Sequence, residues 1–262
     1  MSRFMDNLIF LIDVQKMAWK SFLVYRWQTF IWLFANLLVI LNSILAITII
    51  YTVSSGIPGW SYFQVLALSS ITTMVFGVIE YMIAPWDVVN KLRVGGMDMW
   101  FTKPYSYLTI ISSCFGMVWN SASFISGLAL FIYAVMHIGI TAVQLVYFAL
   151  LFTVGIAAFL MFFVMMTVLS YRLFKSGQFI NNMEGLLSNA GVYPLSVYGV
   201  LGQLIFTLAM PIGIAYYYPA EALFGIIGPT EVATALLLSL VVIFVSRKIF
   251  YALLKGYSSG GG

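Results

Sequence analysis

Long uncharged apolar runs alternate along this chain with short polar intervals, and that alternation predicts its elements. No charge interrupts residues 27–53, 105–136, 140–171 or 196–218, while 61–84 carries only Glu80 and 232–254 is apolar until Arg247 and Lys248. About 20 residues of helix cross a hydrocarbon core roughly 30 Å thick. The runs therefore predict an all-α integral membrane protein of six transmembrane helices at those bounds. Gly56-Ile57-Pro58-Gly59 reads as a tight turn. Only His137, Ile138 and Gly139 separate the third and fourth spans, which predicts an antiparallel helix hairpin. The segment 172–195, with Arg172, Lys175, Glu184 and several Asn and Ser residues, is too polar to read as a crossing.

The first 26 residues follow a different pattern. On a helical wheel Arg3, Asp6, Asp13, Lys16 and Lys20 fall within about 140°, and Phe4, Leu8, Leu11, Ile12, Trp19 and Phe22 cover the other side. This predicts an amphipathic helix lying in the membrane interface. Asp6 and Asp13 break what would have to be the apolar core of a signal peptide. Residues 1–256 read as one transmembrane domain, and 257–262 as a flexible tail.

Charge sets an orientation. All twelve basic residues fall in the N-terminal arm, the intervals after the second and fourth spans, or the end of the sixth. Positive residues collect on the cytoplasmic side, so both termini are expected in the cytoplasm. The net charge of +4 is scattered and forms no stripe that could track phosphates, so nucleic acid is not an expected partner.

Several chemistries are excluded by what is missing. There is no GxxxxGK[ST] phosphate loop, no HExxH and no CxxC, so the chain offers no nucleotide, metal or catalytic site of those kinds. The lone Cys114 sits in an apolar run and reads as core filler. The lone His137 sits at a turn with no carboxylate nearby in sequence to orient it. Glu80 is the one acid inside a span. It reads either as a gate or coupling contact facing a cavity, or as a residue reaching the headgroups. Asn36, Asn42, Thr48 and Gln203 are scattered polar points in the spans.

Two polar stretches have a definite local design. In 86–104, Asp87 suits the first turn of a short helix whose last turn carries Lys91 and Arg93, and Gly95 ends it. A second turn starts near Asp98 and should expose Met97, Met99, Trp100 and Phe101, with Lys103 and then Pro104 leading into the third span. Such a knob suits docking of a soluble partner, or its aromatic side chains lie in the lipid interface. In 211–225, Pro211 should kink the fifth span. Tyr218 belongs to an outer aromatic belt, and Pro219 and Glu221 suit the start of a short helix that Gly225 stops. The expected shape is a re-entrant helical element between the fifth and sixth spans.

At these residues the chain resembles the ABC-2-type permease family, the membrane subunits of ATP-binding-cassette exporters. One matching block is KLRVGGMDMWFTKP, through Arg93, Gly95, Asp98, Phe101, Lys103 and Pro104. The other is the stretch carrying Tyr193, Pro194, Tyr198, Pro211, Tyr218, Pro219, Ala220, Leu223 and Gly225. The resemblance implies an exporter subunit in a bacterial-type plasma membrane, paired with a second permease chain, identical or not. ATP and Mg would sit on a separate ATPase subunit, and residues 86–104 would be the coupling helix, including Asp87, Lys91 and Trp100. The competing class is a self-sufficient secondary transporter or channel.

Overall fold

A computed structural model describes residues 2–24, 26–113, 118–255 and 257. Every element among them is helical. α1 (Ser2–Val24) and α2 (Arg26–Val53) lead to α3 (Tyr62–Met82), then the short α4 (Pro85–Arg93) and α5 (Asp98–Phe101). Next come α6 (Tyr107–Ser113), a 3₁₀ turn at Val118–Asn120, α7 (Ser121–Val135), α8 (Ala142–Phe174) and α9 (Gly177–Ala190). A 3₁₀ turn (Leu195–Tyr198), α10 (Gly199–Leu204), a π turn (Ile205–Ala209), α11 (Ile212–Leu223) and α12 (Pro229–Leu254) complete the chain.

Four helices are long and apolar enough to cross a membrane, or five if α9 and residues 195–209 form one bent span. This departs from an even series of six. The uncharged stretch 105–136 is divided among α6, the 3₁₀ turn and α7. The expected fifth span, 196–218, is divided as well. Residues 195–209 turn 109° from α9, the Met210 amide bonds five residues back to Ile205, and the chain breaks before Pro211, which has no N–H to continue the ladder. Pro219, expected to start a helix, lies buried inside α11.

Local sequence explains the regular parts. Ser61 caps α3 and Gln64 returns the bond to the Ser61 amide, and Thr141 and Gln144 do the same for α8. Small residues set the close crossings. A Cβ at Gly77 would lie 2.6 Å from the Phe124 amide nitrogen on α7, and one at Gly155 on α8 would lie 2.4 Å from the Ile214 carbonyl of α11. α3 is the central helix, 72% of its apolar window being buried against 11% for α2. The large exposed side chains of α2 and α12 form an apolar exterior suited to lipid.

Contacts define two ends of the bundle. At one, Trp60 meets Tyr217 and Phe224, His137 stacks on Phe63, and Gly225 abuts Gln144. At the other, the Tyr81 hydroxyl donates to Gln15 of α1, the Trp86 ring packs over Gly177, and Tyr171 meets Tyr257. α8 and α12 pack together and run parallel, sharing a buried cluster at Leu151 and Val232 toward their starts and meeting through Tyr171 and Tyr257 near or beyond their ends.

Candidate coupling site

The elbow at 84–106 is built from its sequence as far as the cap residues go. Pro85 occupies the first turn of α4, where its missing N–H costs little. Asp87 sits in that turn and receives Lys91 at 2.6 Å, with the acid N-terminal to the base. Both side chains are part-exposed, so the pair contributes only about 0.3–0.5 kcal/mol. The stripe Pro85, Val88, Val89 and Leu92 is buried against α8 and α9. Gly95, at φ +73°, ends the helix, and the Gly96 amide bonds back to the Lys91 carbonyl at 2.8 Å.

α5 is held from three sides. Asp98 accepts a hydrogen bond of 2.7 Å from the Tyr257 hydroxyl. Burial, and then that carboxylate, push the Tyr257 phenol above its ordinary value. Phe101 meets Tyr107 and Tyr257 edge-on, with centroids 4.9 and 5.4 Å away. Just beyond, Tyr105 stacks on Phe10 of α1 at 4.1 Å, and the Ser106 amide donates to Asn7. Lys103 lies 4.4 Å over the Trp100 ring. Between α5 and the end of α12 is a cavity of about 640 Å³ lined by Asp98, Phe101, Tyr107, Tyr251 and Lys255.

Of the four side chains expected to be exposed, only Met99 is: Met97 is fully buried, and Trp100 and Phe101 are half-buried against the core. The exposed surface of the elbow is Trp86, Arg93, Val94, Gly96, Met99, Thr102, Lys103 and Pro104. Pro104 precedes α6 by three residues instead of opening a long span. Tyr257, placed in the tail by its sequence, is an anchor; residues 258–262 and Cys114 lie outside the described residues.

The 211–225 residues gather at the far end. The Glu221 carboxylate accepts from Tyr217, Tyr218 is half-buried, and Gly225 at φ +69° closes α11 with the Ile226 amide on the Glu221 carbonyl. Glu80 does not stand alone. Its carboxyl faces Glu184 of α9, a residue sequence reasoning left in a polar connection. The buried stripe Ile180, Met183, Leu187 and Ala190 was the signal that this connection is a packed helix. Asn36, by contrast, is occupied by Trp32 and Ser123.

Taken together, this is a helical membrane protein whose two ends differ, one carrying a braced elbow of two short helices. Its sequence matches the ABC-2 family transporter protein over residues 37–261, and the chain belongs to that family. No curated protein and no solved structure matches it. It is accordingly an ABC permease, the membrane component of a family that works with an ATPase partner.

Proposed function

We propose that this permease is an exporter subunit driven by a separate ATPase, and that residues 86–104 receive the stroke. The bracing of the elbow carries this reading. α4 follows α3 after Ile83 and Ala84, α5 is tied to Tyr257 beyond α12, and Tyr105 and Ser106 are tied to α1. A push on Met99 or Arg93 would therefore reach the central helix and the last span as one body. ATP and Mg belong to the ATPase.

On this reading the chain makes six passages, the third through α6 and α7 and the fifth through α9, residues 195–209 and α11. The elbow end faces the cytoplasm with both termini, consistent with its basic residues. α1 lies in the interface, its exposed Leu8, Ile9 and Ile12 toward lipid. The exposed apolar side chains of residues 197–208 face lipid where that fifth passage bends, and a second permease chain completes the path.

Transport and ATP hydrolysis are measured for the reconstituted complex carrying Asp98→Ala, Arg93→Ala or Trp100→Ala. Hydrolysis should persist while transport falls at least tenfold. Full transport by all three variants removes the coupling role. Transport by the purified permease alone under an ion gradient would establish the secondary-carrier reading instead.

A further inference from the structure

A cavity of about 280 Å³ opens where α3 passes into α4, lined by Glu80, Glu184, Asn120, Asn181, Trp32 and Trp86. Three different elements supply its polar groups. Glu80 comes from the last turn of α3, Glu184 and Asn181 from α9, and Asn120 from the turn before α7. The two glutamate carboxyls face each other. Glu184 Oε1 is the one buried side-chain polar atom among the described residues that has no hydrogen-bond partner. Asp87 also borders the cavity, but Lys91 holds it at 2.6 Å.

Two adjoining carboxyls out of water repel each other and require positive charge or donated hydrogen bonds. No lysine, arginine or histidine is among the described residues that line the cavity. The hydrogen bond between the two carboxyls takes one shared proton and leaves Glu184 Oε1 without a donor from the lining amides or indoles, so a donor from outside the chain would complete the site.

The walls select its kind. No group of three or more His, Cys, Asp or Glu residues suited to a metal occurs among the described residues, and two indoles make poor company for a hard ion, which takes six or more oxygen ligands. An ammonium group is suited to all of them: carboxylates and amide oxygens accept its N–H bonds, and indole faces attract a cation. The volume admits such a head with a short apolar or aromatic body, being below the usual span for drug-sized ligands.

We propose that this cavity binds the ammonium group of an organic cation, carried by a free amphiphile or by an aminophospholipid headgroup, with Glu80 and Glu184 as its counter-charges. The site uses α3, α9 and the turn before α7, and its binding does not depend on the ATPase-coupling reading.

The test is calorimetric titration of the full-length permease in dodecyl maltoside with phenethylammonium, against 2-phenylethanol as the neutral analogue. Saturable binding of the amine is expected, with the alcohol at least about tenfold weaker, since the alcohol brings no charge-assisted hydrogen bond. Glu80→Gln and Glu184→Gln should each weaken the amine by a similar factor. Added phosphatidylethanolamine that competes identifies the headgroup as the source; absence of competition identifies the free amphiphile. No saturable amine binding, equal binding of the alcohol, or undiminished binding by a folded double glutamine variant overturns the proposal. Should the variants aggregate on gel filtration, the amine-to-alcohol comparison on the unaltered chain decides.

Discussion

Removing one hydroxyl probes the bracing of the elbow. Tyr257→Phe deletes the 2.7 Å bond to Asp98 and leaves the ring on Phe101 and Tyr171. A hydrogen bond to a charged acceptor contributes about 1.5–3 kcal/mol, and the part-exposed position of Asp98 lowers this to about 1 kcal/mol. Local opening of α5 should then become about fivefold more frequent. Amide hydrogen exchange over residues 97–104 reads this directly, and the rates at α3 should not change. The pH dependence follows from the raised Tyr257 phenol. A group raised on folding contributes fully below its unfolded value, near 10 for tyrosine, and loses that contribution only as pH rises through the folded value. The difference between the unaltered chain and the Tyr257→Phe variant should accordingly be equal at about pH 7 and pH 9. Unchanged exchange at 97–104 in Tyr257→Phe would refute the strap.

Further outcomes rest on separate contacts. Gly95→Ala meets a φ of +73° and should loosen the elbow by about 1 kcal/mol, read as faster exchange at residues 94–98 and weaker coupling. Gly155→Val, with a Cβ 2.4 Å from the Ile214 carbonyl, should lower stability by about 1–3 kcal/mol, visible as a drop in the detergent melting temperature. Thr72→Val removes a 2.5 Å bond to the Gly191 carbonyl and should cost about 1–3 kcal/mol at that buried acceptor, again read by thermal unfolding. A cytoplasm-only fluorescent reporter fused to the C-terminus should be bright; a dark fusion reverses the proposed orientation.

What local chemistry governs was legible in the sequence. Trp27 to Val53 gave α2 nearly to the residue, Ser61 marked the start of α3, and Asp87, Gly95 and Asp98 outlined α4 and α5. These depend on caps, glycine conformation and unbroken hydropathy, all short-range. The losses are long-range. Residues 105–136 carry no charge, so hydropathy could not reveal their division. Asn181, Asn182 and Glu184 made α9 look like a surface connection, although its other face packs on α4 and α8. Glu80 and Glu184 lie far apart in the chain, and only the fold brings them together. Pro219 suits a helix start by its missing N–H, and only the packing of Ile212–Leu223 as one helix places it inside α11. Tyr257 looked like tail because its partner, Asp98, is distant in sequence.

Whether the elbow meets the ATPase is tested by photo-crosslinking in membranes holding the intact complex, with a benzoylphenylalanine placed at Met99, 69% exposed on the elbow, or at Met136, 79% exposed at the opposite end. A crosslink to the nucleotide-binding subunit is expected from Met99, altered by ATP, and none from Met136. A crosslink to that subunit from Met136 and not from Met99 would contradict it.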